Sequence, residues 1–459
     1  MIKYSYIRDG GIMDFKRKAY NKLLKWKEQS RGESAILIEG ARRVGKSYIS
    51  KRFAENEYES YIYLDFANIE NEIIDLFENE MTNLDIFFMK LQTFYGVRLS
   101  ERKSCIIFDE VQRYPRARQM IKYLVADGRY DYIETGSLIS IKQNIQDIVI
   151  PSEEESMQLN PLDFEEFLIA IGEELLADYI KECFHKKIAL GAALHRKAMN
   201  MFRIYMIVGG MPQAVEKYCD TKNLEEVHRV KQRILKLYRE DIGKFAKGYE
   251  SKVLAIFDEI PSQLTKHEKK FTLASLNKNA RFREYKDSFM WLSESKIVNH
   301  CFNSTEPTLG INLNVDRLTL KCYMADTGLL IAHAIEDGTV LEEEVLKAIM
   351  FDRVGINEGM FVENVVSQML VASGHKLFFY SRVDKEDYHN NIEIDFLIRD
   401  RKKICPVEVK SGEYKKHTSI DRFSKKFSDK VGTSYIICMK DLSKEGNIVI
   451  IPVYMTFCL

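Results

Sequence analysis

Residues 40–47 read Gly-Ala-Arg-Arg-Val-Gly-Lys-Ser, the pattern Gly-x4-Gly-Lys-Ser. A loop that holds phosphate needs this composition. Gly40 and Gly45 permit backbone angles and close approaches that a side chain would block. The amides of Arg42, Arg43, Val44, Gly45, Lys46, Ser47 and Tyr48 can then point at phosphate oxygens, with a helix N-terminus behind them. Lys46 has the reach for β- and γ-phosphates, and the Ser47 hydroxyl suits Mg²⁺. The stretch "SCIIFDEVQ" adds two acids. Asp109 ends an apolar run, where it can hold a Mg²⁺ shell through water. Glu110 beside it can orient or deprotonate an attacking water. In "YDYIETGSL", Thr135 or Ser137 can sense a terminal phosphate, although a Gly-Ser turn uses the same residue types.

A second constellation lies far downstream in "IEIDFLIRDRKKICPVEVKSG", residues 392–412. Asp395 closes one apolar run, and Glu408-Val-Lys410 sits in the next. Residues i and i+2 of a strand share a face, so Glu408 and Lys410 project together, and Asp395 can approach Glu408 across the pair. Two carboxylates with a backbone carbonyl can hold a second Mg²⁺ or a Mn²⁺, and Lys410 can activate water. Glu363, on a preceding amphipathic stretch, is a further acid. Two ordinary strands with polar ends would read the same way. Residues 401–430 carry ten Lys/Arg against four Asp/Glu. Among them Lys415, Lys416, Lys425 and Lys426 can track a phosphate backbone or form the solvated face of a short helix.

The elements that must position these residues follow from periodicity. Ala35–Ile38 is long enough for a buried strand, and a helix-like segment follows from Tyr48, the context a phosphate loop requires. Cys105–Phe108 and Tyr132–Ile133 are two more buried strands. "LNPLDFEEFL" predicts a capped, amphipathic helix start, and the pattern stays helical to about Lys247, broken at "GGMP" by a turn. From Ser251 to about Leu330, three short helices and a hairpin make a winged-helix pattern. Lys278, Arg281, Arg283 and Lys286 in "LNKNARFREYKDS" form a modest basic surface, with acids interleaved. The acidic stretch 334–349 reads as a bridge. The last region reads α-β-β-β-α-β-β, the core order of PD-(D/E)xK nucleases.

"GARRVGKS", "YIYLDFAN", "IIFDEVQRYPRARQMIKYLVADGRYDYIETGS" and "LNPLDFEEFL" together resemble a large prokaryotic family of AAA-type ATP-binding proteins. Its members carry a C-terminal domain of unknown function with a restriction-endonuclease-like fold. The resemblance spans essentially the whole chain. It departs at Glu134, which replaces an apolar residue, and at Leu138, which replaces a second Ser. It implies an α/β protein: a P-loop AAA-type core over 1–160, a helical lid over 161–248, a winged-helix-like region over 249–333 and a nuclease-like domain over 334–459. It implies Mg-ATP binding and hydrolysis through Lys46, Ser47, Asp109, Glu110 and Thr135. The source of an arginine finger stays open among Arg113, Arg116, Arg118 and Arg129. Three outcomes follow for the C-terminal region: a nuclease-like domain coupled to ATP turnover, an ATP-gated DNA nuclease, or a non-catalytic switch that docks DNA or a protein partner. A homo-oligomer is a further option.

The totals are consistent with this reading. The chain has 459 residues, enough for about three domains, with 46% hydrophobic and 30% charged residues. Lys+Arg and Asp+Glu are equal at 68, so net charge favours no class of partner. The eight cysteines form no Cys-x-x-Cys or Cys-x-x-His pair, which argues against structural zinc and for buried thiols in a reducing compartment. No apolar run approaches a membrane span and no leader pattern is visible, so a cytoplasmic location is expected.

Overall fold

The computed structural model describes residues 8–9, 12–136, 152–266, 269–308, 310–335, 358–383, 391–412 and 417–459. The acidic stretch proposed as a bridge falls almost entirely outside these residues, as do Ser137, Lys415 and Lys416. The chain forms two compact units, Lys16–Asn160 and a second made of Met1–Phe15 with Pro161–Leu459. The second unit opens with a short hairpin, β1 (Arg8–Asp9) and β2 (Ile12–Met13).

The Lys16–Asn160 unit alternates helix and strand. Its order is α1 (Lys18–Ser30), β3 (Ala35–Glu39), α2 (Lys46–Glu57), β4 (Ser60–Asp65), α3 (Asn71–Asn79), α4 (Leu84–Tyr95), β5 (Ser104–Asp109), α5 (Pro115–Asp127), β6 (Asp131–Gly136) and β7 (Glu154–Gln158). The strands pair in the order β4-β5-β6-β3-β7, all parallel. Strand alternation explains how both faces are covered. Leu37, Ile62, Leu64, Ile106 and Phe108 pack with Phe77, Phe87, Leu91 and Ile121 of α3–α5. Ile36, Ile38, Cys105, Ile107 and Ile133 point the other way, onto Leu23, Trp26, Ile49 and Phe53 of α1 and α2.

The second unit continues with α6 (Phe164–Ala170), α7 (Glu174–Lys186), α8 (Ala192–Val208), α9 (Pro212–Thr221) and α10 (Leu224–Phe245). Asp163 caps α6 in a reciprocal box with Glu166. Next come α11 (Glu250–Thr265) and α12 (Phe282–Glu294). The helix expected between them is a single 3-10 turn, Leu273–Ser275. There the Ser275 hydroxyl donates to the Thr272 carbonyl and the Asn277 side chain accepts from the Asn279 amide. Such local bonds compete with helix propagation.

Two mixed sheets follow, formed by β8 (Val298–Ser304), β9 (Val315–Met324), β10 (Phe378–Arg382), β11 (Ile392–Ile394), β12 (Phe396–Asp400), β13 (Lys403–Val409), β14 (Ser434–Cys438), β15 (Ser443–Glu445) and β16 (Ile448–Pro452). Helices α13 (Thr327–Ala334), α14 (Glu358–Ala372) and α15 (Thr418–Lys426) lie between them in sequence. One sheet has the order β11-β10-β8-β9 and the other β12-β13-β14-β16-β15. The first runs across the boundary placed at 333/334: β10 pairs in parallel with β8, through Phe378 opposite Phe302. Asp395 is the bend at which the chain leaves one sheet for the other.

Candidate functional site

Strands β3, β5 and β6 run the same way, so their C-terminal ends share one edge, and the phosphate-loop motif leaves from that edge. A Cβ on Gly40 would lie 2.4 Å from the Leu159 carbonyl oxygen, so a side chain has no room there. Gly45 takes φ 98° as the N-cap of α2. Arg43 also sits in the left-handed region, at φ 69°. Val44 anchors the loop in the core beneath it. Lys46 is buried, and its ammonium donates to the carbonyls of Gly40 (3.0 Å) and Ala41 (3.2 Å). Arg42 and Arg43 are exposed, while Ser47 and Tyr48 are half-buried at the start of α2.

Asp109 is buried at the end of β5, and each of its oxygens accepts a hydroxyl. Tyr63 of β4 donates to Oδ2 at 2.5 Å, and Thr135 of β6 donates to Oδ1. The Thr135 hydroxyl in turn accepts from the Glu110 amide at 3.2 Å. Thr135, expected as a phosphate sensor, therefore spends its hydroxyl joining the two acids. Glu110 adopts φ 55°, which is uncommon without a glycine, and its Oε2 accepts from the Gln112 amide nitrogen at 2.6 Å. Burial first, and then its bond to Asp109, raises the Tyr63 phenol far above its ordinary range, and the Ser47 hydroxyl lies beside it. The phenol thus holds Asp109, one of the two residues expected at the Mg²⁺, and lies near the other. A hydroxyl and a carboxylate at one strand edge suit a hard, oxygen-seeking ion.

Three of the four arginine candidates are engaged elsewhere. Arg116 pairs with Glu78, Arg118 with buried Glu154, and Arg129 with Asp127 and Asp85. Arg113 is exposed.

The second constellation also assembles. Glu408 and Lys410 project together and pair at 2.5 Å. Burial raises the Glu408 carboxyl; Lys410 opposes that shift, and the nearby charge of Asp395 adds to it. Glu363 is buried on α14. Lys321 of β9, which sequence reasoning missed, sits among these acids: its Nζ is 3.1 Å from Glu363, 3.4 Å from Asp395 and 3.9 Å from Glu393. Lys269 and the Tyr323 hydroxyl also bond Glu363. Burial alone would push the Glu363 carboxyl up, but Lys321, Lys269 and Tyr323 outweigh it and bring it down to about 2. Asp395 Oδ2 accepts from the Val409 amide at 2.9 Å. Both oxygens of Glu363 and both of Asp395 are therefore claimed by protein donors. Glu408 Oε2 is buried without a hydrogen-bond partner. Mg²⁺ demands near-octahedral oxygen coordination. Among the described residues no group of three or more His, Cys, Asp or Glu is arranged to hold a metal. As placed, this cluster does not fit the second Mg²⁺ or Mn²⁺ expected of it.

Residues 32–168 match a family model described as an AAA domain. Residues 199–339 and 358–456 each match a model described as a domain of unknown function (DUF8612 and DUF4143). No curated protein matches. Among solved structures, a Walker-type ATPase of Pyrococcus abyssi, PABY2304, is 14% identical over 72% of this chain and 97% of that one, with a TM-score of 0.42. The Aeropyrum pernix ORC1 protein, solved in complex with DNA, is 10% identical over 70% and 93%, with a TM-score of 0.28. Drosophila ORC bound to DNA is 13% identical over 75% and 96%, with a TM-score of 0.30. The Lys16–Asn160 unit is a P-loop core of AAA type.

Tyr63 and Lys321 were missed because each acts through a contact between elements that spacing does not reveal, and Gln112 because its bond to Glu110 depends on the left-handed backbone there. A signal existed for Lys321, a lone charge inside the apolar strand "LTLKCYM".

Proposed function

We propose that the protein binds Mg-ATP at residues 40–48 and hydrolyses it to ADP and phosphate. The observation that carries this reading is the meeting of Lys46, Ser47, Asp109, Glu110 and Thr135 at one edge of a parallel sheet of order β4-β5-β6-β3-β7. The loop amides and Lys46 hold the β- and γ-phosphates. Ser47 and Asp109 supply oxygens to the Mg²⁺ shell, with Tyr63 fixing the Asp109 carboxylate. The chemistry a bound Mg²⁺ adds is neutralisation of charge across the β- and γ-phosphate oxygens. Glu110 accepts the proton of the attacking water as its oxygen bonds to the γ-phosphorus and the bond to the ADP oxygen breaks. Gln112 and Thr135 hold Glu110 from its side chain and its backbone. Fluorescent ATP-analogue titration tests the binding step: saturable binding by the wild type, weakened at least about tenfold in Lys46→Ala, is expected. A wild type that binds no nucleotide removes the reading.

For the C-terminal region, nucleotide-dependent docking of DNA or a protein partner is favoured over cleavage. Glu363 and Asp395, two of the acids that would hold a cleavage metal, already have both oxygens bonded to protein donors. Lys278, Arg281, Arg283 and Lys286, at and before α12, are all exposed.

A further inference from the structure

We infer that the Lys321 ammonium takes the place of a divalent cation in the C-terminal carboxylate cluster, which makes that cluster an internal charge clamp.

The argument starts in β9. Lys321 and Tyr323 share one face of the strand, and both are fully buried. An ammonium taken out of water is strongly destabilised unless carboxylates and hydrogen bonds replace its hydration. They are present: Glu363 from α14 and Asp395 from the bend between β11 and β12 lie within 3.4 Å of Nζ, and Glu393 stands at the rim. Asp395 is one of the two acids expected to hold a metal, and Glu363 is the further acid beside them. Lys321, Lys269 and Lys410 face Glu363, Asp395, Glu408 and, at the rim, Glu393, so three ammonium groups offset three of the four formal negative charges without any ion. A divalent cation entering the cluster would sit within about 4 Å of Lys321, where like charges repel strongly at low dielectric.

The clamp joins elements far apart in sequence. Lys269 and Lys321 come from one side of the 333/334 boundary, and Glu363 and Asp395 from the other. They meet where β8 and β10 pair to form the sheet that crosses it. A metal would tie these elements equally well, so a lysine in its position keeps the tie and removes the cleavage chemistry. The inference is independent of ATP turnover, so either can fail without the other.

The test uses the full chain without nucleotide and Mn²⁺ alone, followed by electron paramagnetic resonance. The wild type is expected to show no saturable Mn²⁺ site that depends on Asp395. Lys321→Gln, which removes the charge and keeps a polar head, is expected to gain one such site, bound at least about tenfold more tightly than in the wild type and lost again in Lys321→Gln/Asp395→Asn. Mn²⁺ is also expected to raise the melting temperature of Lys321→Gln and leave that of the wild type unchanged. Wild-type Mn²⁺ binding that disappears in Asp395→Asn overturns the inference, as does a folded Lys321→Gln that gains no site. Should Lys321→Gln fail to fold, the wild-type titration decides alone: no Asp395-dependent site supports the inference and such a site overturns it.

Discussion

Glu110 sits at φ 55°. A non-glycine residue held in the left-handed region costs about 1–3 kcal/mol, and such strain clusters where chemistry needs it. Here it turns the carboxylate toward Gln112 and the backbone amide toward Thr135. The spacing of residues 40–47 and the acid pair at 109–110 were legible because a phosphate loop and a strand end are local patterns. The bonds from Tyr63 and Gln112 were not, since they depend on strand register and on one unusual backbone angle. Glu134 is the clearest surprise at this scale. It is fully buried in β6, and its carboxyl oxygens have no hydrogen-bond partner. Burial and then the charge of Glu154 push its carboxyl far above 4.5, with Arg118 opposing; Arg118 itself also faces Glu39. The sign follows. The folded state keeps a proton that the unfolded state releases, so stability falls as pH rises above about 4.5. Glu134→Gln removes that dependence. Its melting temperature is expected to exceed the wild type's, by more at about pH 8 than at about pH 5. Equal gains at the two pH values, read by differential scanning fluorimetry, would contradict the assignment.

Elements were read most reliably where one physical signal dominated. The apolar runs of β3, β5 and β6 and the boxed cap at Asp163 are examples, the latter visible in "NPLDFEEF". The middle helix of the supposed three-helix set shrank to a 3-10 turn because Thr272, Ser275 and Asn277 offer the backbone other partners. Pairing of β10 with β8 was out of reach, since a parallel contact between strands so far apart in sequence leaves no local mark. The turn at Gly209-Gly210 was read as a break between helices, but it is also a crossing point. A Cβ on Gly210 would lie 2.0 Å from the Leu162 carbonyl oxygen, and Asp326 accepts the Gly210 amide at 2.5 Å. Backbone cannot give way as a flexible side chain can. Gly210→Ala is therefore expected to destabilise the protein by at least about 2 kcal/mol, seen as a lower denaturation midpoint. An unchanged midpoint would show that the crossing is looser than its distances imply.

At the scale of the whole molecule, balanced charge hides local asymmetry. The exposed basic residues at and before α12 are interleaved with Glu284 and Asp287, so any DNA binding there is expected to be weak and salt-sensitive. Among the described residues no helix is long and apolar enough to cross a membrane. One gel carrying plasmid DNA, Mn²⁺, and ATP or no nucleotide separates docking from cleavage. A mobility shift without cuts is expected, and it should weaken in Arg281→Glu/Arg283→Glu. Cuts that vanish in Glu408→Ala would restore the nuclease reading. ATP hydrolysis remains the central claim, and Glu110→Gln tests it most directly, because Gln keeps the shape and loses the base. In a phosphate-release assay with Mg-ATP, the wild type is expected to turn over. Glu110→Gln is expected to bind ATP as tightly while releasing phosphate at least about a hundredfold more slowly. A wild type that binds ATP and releases no phosphate, or a Glu110→Gln variant that matches it, would contradict the claim.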